Sequence, residues 1–229
     1  MGNKFVCLGV VLFMILASLT LNLVAILTDH WYNVQADSLG NSTFQSKWTY
    51  HYGIWKKCYE SLPSDTPVVK ERVGSNGNCI FIYEDMIQSH EDTLPYDDQL
   101  YLHLTRCFVA FAILCGGIQL FTILTLICGV WPADCHNIKR SKIYLGAALM
   151  LLLATICGSV SGICFIALRD LDVDPQNLYP QGVASNYDWS FMIHWISTGM
   201  CIVESCILLC LLKESYDDVA EKFSYYNIY

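Results

Sequence analysis

Four apolar stretches, Phe5–Leu27, Arg106–Val130, Tyr144–Leu168 and Trp189–Leu212, set what this 229-residue chain can fold into. A helix needs about 20 apolar residues to cross the hydrocarbon core of a bilayer, and each stretch reaches that length on Leu, Ile, Val, Phe and Ala. The first three carry no formal charge in their interiors, and the fourth holds a single acid, Glu204. With 54% hydrophobic and only 15% charged residues, the chain lacks the charge that covers a soluble domain of this size. The first stretch is longer than a signal-peptide core and lacks a small-x-small cleavage site, so it is read as a retained span. The expectation is an all-α, multi-pass membrane protein, one four-span domain over residues 1–229.

Basic residues orient the spans. Lys139, Arg140 and Lys142 lie between spans two and three, against Asp134 alone, and Lys4 precedes span one. Short basic loops stay in the cytoplasm. Both termini and the tail, residues 213–229, are then cytoplasmic, and residues 32–105 and 169–188 form a large and a small outer loop. Trp31, Tyr32, Trp131 and Trp189 stand where spans meet headgroups. Much of the net charge of −8 comes from the large loop, with ten acids against five bases. That face reads first as a solvated surface, and alternatively as one that attracts cations or a basic partner. Nucleic-acid binding is disfavoured.

Topology sorts the twelve cysteines. Only Cys58 and Cys79 fall in an outer loop, where oxidation is permitted. One disulfide follows, worth roughly 3 kcal/mol for a loop of about 20 residues. Cys128, Cys135 and Cys210 lie at juxtamembrane depth, either as small apolar fillers or as palmitoylation sites. Zinc is disfavoured because no two Cys/His pairs share ligand spacing. Asn41-Ser42-Thr43 is a glycosylation sequon in the outer loop. Trp48–Trp55 and Cys79–Glu84 are aromatic and β-branched, which predicts two strands of a small extracellular sheet over the helix ends.

Trp31, then Gly53-Ile54-Trp55, Cys58 and Cys79, and Arg106 opening span two, resemble the signature of the claudin superfamily, which includes the peripheral myelin proteins and the calcium-channel gamma subunits. Ile54 stands where the family usually has Leu. The resemblance covers span one to span four and implies a left-handed four-helix bundle with a small antiparallel outer sheet. Thr28-Asp29-His30-Trp31 and Tyr187-Asp188-Trp189-Ser190-Phe191 are similar to the exit from span one and the entry to span four of the gamma, stargazin-like branch. The wide Cys58–Cys79 spacing departs from that of tight-junction claudins. The tail, Tyr226-Asn-Ile-Tyr229, matches the PDZ-binding ends of neither branch.

Within the spans, Glu204 is the costliest residue, at least about 2–3 kcal/mol unless neutralised or paired. Gln119 comes at similar depth, and a hydrogen bond from a protonated Glu204 to Gln119 is expected, with docking of a partner's span as the alternative role. Gly158 and Gly162 form a GxxxG that lets helix backbones approach, and Gly116-Gly117 is similar. His194 and Asn22 read as bundle residues. No catalytic motif, phosphate loop, EF-hand or cofactor fingerprint appears. The expected function is a non-enzymatic modulatory subunit of an ion channel in the plasma membrane, with other membrane proteins as partners. The alternative is a claudin-like junction or adhesion protein, with self-association among its contacts.

Overall fold

A computed structural model describes residues 2–36, 42–60, 78–82, 96–130, 137–172 and 182–226. The elements run α1 (Gly2–Leu27), β1 (Tyr32–Ala36), α2 (Ser42–Trp48), β2 (Tyr50–Tyr52), β3 (Lys56–Tyr59), β4 (Cys79–Phe81), α3 (Tyr96–Val130), α4 (Asn137–Asp172), β5 (Val183–Tyr187) and α5 (Trp189–Tyr226). Among the described residues four helices are long and apolar enough to cross a membrane, over Val6–Leu27, Gln99–Gly129, Ser141–Leu171 and Trp189–Tyr216. Each exposes large apolar side chains, among them Phe13, Phe121, Ile156 and Ile202. Such faces are untenable in water and suited to lipid, so the chain is a multi-pass membrane protein.

All four long helices outrun the apolar stretches that announce them. Leaving the bilayer does not end a helix, because its backbone hydrogen bonds are internal. In α3 the helix begins at Tyr96, ten residues ahead of Arg106 and of the apolar stretch that Arg106 opens. The chain forms two compact units. One comprises Met1–Asn22, Ile113–Ser159 and Ile196–Tyr229, and the other Leu23–Ala112 and Val160–Trp195.

In the first unit, small and polar side chains bind the helices. Ser197 donates to the Ser18 carbonyl at 2.7 Å and Ser205 to the Ala148 carbonyl at 3.0 Å. A Cβ on Gly158 would approach Thr198 Oγ1 to 2.5 Å, and one on Gly116 would approach Asn22 Nδ2 to 3.0 Å. These glycines therefore make room within the chain, in the manner of small residues at membrane helix contacts.

The second unit holds a five-stranded sheet in the order β4-β3-β2-β1-β5, antiparallel throughout. The sheet is larger than the one expected from the first loop, since the second loop contributes β5 at an edge. The strand expected over Trp48–Trp55 is broken. Trp48 belongs to α2, and the chain turns at Gly53, whose amide donates to the Lys56 carbonyl at 3.0 Å. Aromatic content reported burial there, and the turn residue decided the strand's length. Cys79–Phe81 is a strand, while Tyr83 and Glu84 lie outside the described residues. One sheet face, carrying Tyr32, Val34, Tyr50 and Tyr52, packs with Trp31, Phe108, Phe165 and Phe191 in a single apolar cluster.

Candidate functional site

The last four carbonyls of a helix have no intrahelical donor, and at a membrane boundary each unsatisfied one is costly. At the end of α1, Thr28 serves Val24 twice, through its amide at 3.1 Å and its hydroxyl at 2.6 Å. The Trp31 indole donates to the Ala25 carbonyl at 2.6 Å, and the Trp55 indole to the Ile26 carbonyl at 2.8 Å. Two tryptophans thus cap the helix where a glycine cap would ordinarily stand. Trp31 is wholly buried, with Phe108 and Phe165 edge-on at 4.9 and 5.0 Å and the His194 ring at 5.2 Å. Gly53 permits this arrangement, because a Cβ there would collide with the Thr28 carbonyl oxygen and lie 2.6 Å from Asp29 Cα. Ile54 is buried in the same cluster.

The start of α5 docks on the same segment. The Asp188 amide donates to the Trp31 carbonyl and the Ser190 amide to the His30 carbonyl, both at 3.0 Å. The Thr28 and Ser190 hydroxyls are 2.7 Å apart. The exit of α1 therefore satisfies an orphan donor of α5, while its own carbonyls are capped by Thr28 and Trp31 of the exit and by Trp55 from the β2–β3 turn.

On the other face of the sheet five ionisable groups converge, Asp29, His30, His51, Lys56 and Asp188. His30 Nδ1 is 2.9 Å from Asp188 Oδ2, and His51 Nε2 is 3.6 Å from Asp29 Oδ2. The two imidazoles stack at 4.3 Å, and Trp189 lies over His30 at 5.4 Å. Lys56 Nζ contacts Asp29 Oδ2 at 3.0 Å. Partial burial pushes the Asp29 carboxyl up, but the Lys56 ammonium, a backbone amide hydrogen bond and, least, His51 more than offset it and hold it below the usual carboxylate range. Burial, then His30, pushes His51 below the ordinary histidine value, against the opposing pull of Asp29 and Asp188.

Arg169, which was expected to begin the second loop, is still helical in α4 and 6% exposed. Its guanidinium lies 4.5 Å from the Tyr52 ring, 5.3 Å from Phe165 and 5.6 Å from Tyr32. It also reaches the Tyr101 hydroxyl at 3.4 Å. Its charge is thus spread over aromatic faces under the sheet, the arrangement a planar guanidinium favours over an ammonium.

The disulfide forms between Cys58 and Cys79, which are register partners on β3 and β4. The Cys58 sulfur is 3.0 Å from the Asp29 carboxylate. Asn41 lies outside the described residues. Trp31, Gly53, Ile54 and Trp55 come together at the α1 exit. Gly162 faces the Trp195 ring, which a Cβ would approach to 2.6 Å.

In the first unit Gln119 and Glu204 are both fully buried, but the bond expected between them is not made. The Gln119 amide nitrogen reaches Cys201 Sγ at 3.0 Å and Ser197 Oγ at 3.5 Å, roughly one to two turns of α5 short of Glu204. The Ser18 hydroxyl faces Glu204 yet donates to the Ile15 carbonyl. Among the described residues neither oxygen of Glu204 accepts a hydrogen bond. The register of α3 on α5 decides this, and depth counted along two separate stretches does not resolve a turn.

Sequence reasoning missed the His30–His51 pair and the buried Arg169. Asp29 and His30 stood inside a recognised segment, but nothing local signals that His51, on β2, folds back to them.

A family model described as PMP-22/EMP/MP20/Claudin tight junction matches residues 15–210, a stretch that holds all of the α1 exit, the sheet and the α5 entry. Comparison with the curated proteins found no significant match.

Proposed function

Because the chain belongs to the PMP-22/EMP/MP20/claudin family, we propose that it is a non-enzymatic modulatory subunit of an ion channel, of the calcium-channel gamma and stargazin type. The observation that carries this reading is the docking of Thr28–Trp31 on Tyr187–Phe191. These two segments resemble the gamma branch, and they are hydrogen-bonded to each other through Thr28–Ser190, His30–Asp188, Trp31–Asp188 and His30–Ser190. Scattered likenesses are thereby gathered into one structural feature.

In this reading the chain acts as one four-span domain in the plasma membrane. Its termini are cytoplasmic, its sheet lies outside the cell, and Asn41 carries a glycan. The exposed apolar helix faces pack sideways against a channel's spans while the sheet touches the channel's outer domain. Such a subunit biases gating only through different affinity for the channel's states, and a tenfold preference amounts to about 1.4 kcal/mol.

A second reading, a claudin-like junction protein, is favoured by the tight-junction description of the family and by β5, an edge of the described sheet that a second chain could extend. Affinity purification from native membranes with mass spectrometry separates the two. Recovery of a pore-forming channel subunit supports the first, and recovery of junction proteins alone overturns it.

A further inference from the structure

We propose that Asp29, His30 and His51 form a binding site for a late first-row divalent cation of the zinc class, with Asp188 orienting His30. One carboxylate oxygen and one imidazole nitrogen from each histidine lie within 4.8 Å of one another. Around tetrahedral zinc, with metal–nitrogen bonds near 2.0–2.1 Å, ligand atoms sit about 3.3 Å apart. Closure therefore needs shifts of roughly an ångström, within reach of side chains that are about one-third exposed at His30 and His51.

The second observation is the state of His30. Its Nδ1 is held at 2.9 Å by Asp188 Oδ2, and Asp188 is itself fixed, since its Oδ1 accepts from the Trp189 amide at 2.7 Å. A carboxylate on Nδ1 keeps the proton there and leaves the Nε2 lone pair free, the outer-shell arrangement that metal-binding histidines use. That Nε2 is 4.0 Å from Asp29 Oδ1. His51 presents its own Nε2 to the other oxygen of the same carboxylate at 3.6 Å.

The stacked rings cannot both point a lone pair at one ion. His30 is pinned by Asp188 and Trp189, so His51 is the ligand that tilts. Imidazole donors select zinc, copper or nickel over calcium and magnesium, which take oxygen ligands. Three protein ligands leave a fourth position for water or an external donor. Lys56 occupies Asp29 Oδ2 at 3.0 Å and competes with the ion, which sets the affinity below that of a closed structural site. The ligand histidines are 21 residues apart in sequence and meet because β2 pairs with β1, bringing His51 opposite Asn33. Motif spacing cannot report such a site.

The test uses the full chain in nanodiscs, without a polyhistidine tag and stripped with chelator, titrated with zinc by calorimetry and with cobalt by visible absorption. Wild type is expected to bind one ion at this site, with cobalt bands of nitrogen and oxygen ligation. His51→Asn is expected to weaken that binding by at least about tenfold, and Lys56→Gln to tighten it by removing the competing cation. Both variants are checked for an unchanged metal-free melting temperature. No binding by wild type up to millimolar zinc overturns the site. So does an isotherm unchanged in His51→Asn, weaker binding in Lys56→Gln, or a thiolate-to-cobalt band accounting for all the bound metal.

Discussion

The Trp55 indole donates to the carbonyl of Ile26, across 29 residues of sequence, at 2.8 Å. With Trp31 on Ala25 at 2.6 Å, it closes the end of α1 without a glycine cap. The spacing of Trp31 and Gly53-Ile54-Trp55 thereby acquires a physical reason: two indole donors and one residue without a Cβ must meet at a helix end that leaves the bilayer.

Trp55→Phe keeps a ring and removes the donor, leaving the Ile26 carbonyl unserved. The expected cost is about 1–3 kcal/mol, read as a lower melting temperature in detergent. Trp31→Ala also empties a wholly buried site and is expected to cost about 3–5 kcal/mol, enough to abolish surface expression.

Gly53→Ala places a methyl against backbone, 2.6 Å from Asp29 Cα, where no side chain can yield. Destabilisation of at least about 1–3 kcal/mol follows, together with loss of the Cys58–Cys79 bond in a fraction of molecules, measurable by thiol labelling. Wild-type melting and labelling would show that the α1 exit is looser than described.

Arg169→Lys retains the charge but not the plane that lies over Tyr52, Phe165 and Tyr32. A loss of about 2 kcal/mol or more is expected for a desolvated contact of this kind, and Arg169→Ala should lose more. Equal melting temperatures for Arg169→Lys and wild type would contradict the stacking account.

Glu204→Gln removes an ionisable group that accepts no hydrogen bond among the described residues. Folding stability in nanodiscs is expected to be maintained or raised, since an ionisable carboxyl in a span is costly. Partner capture then assigns its role. Retained capture makes Glu204 a packing residue, and lost capture with intact expression makes it a docking residue.

The parts legible in the sequence are those set by local chemistry. Apolar length gave the four spans, compartment gave the Cys58–Cys79 disulfide, and Trp31 with Gly53-Ile54-Trp55 gave the family. The rest depends on pairing between distant segments. β5 reads as polar loop until β1 pairs with it, Arg169 reads as a loop charge until the sheet lies over it, and His51 reads as an outward strand residue until Asp29 and His30 face it. Gln119 and Glu204 were placed at one depth by counting, and the observed register set them a turn or more apart.

In the proposed function this chain biases a channel. The direct measurement is current through voltage-gated calcium channels and ionotropic glutamate receptors expressed with and without it, paired with co-purification. A shift in voltage dependence, inactivation or desensitisation in at least one channel, weakened by Gly53→Ala, is the predicted result. Unchanged currents and no co-purification across the panel, with the chain concentrated at cell borders and altering paracellular resistance, would contradict it.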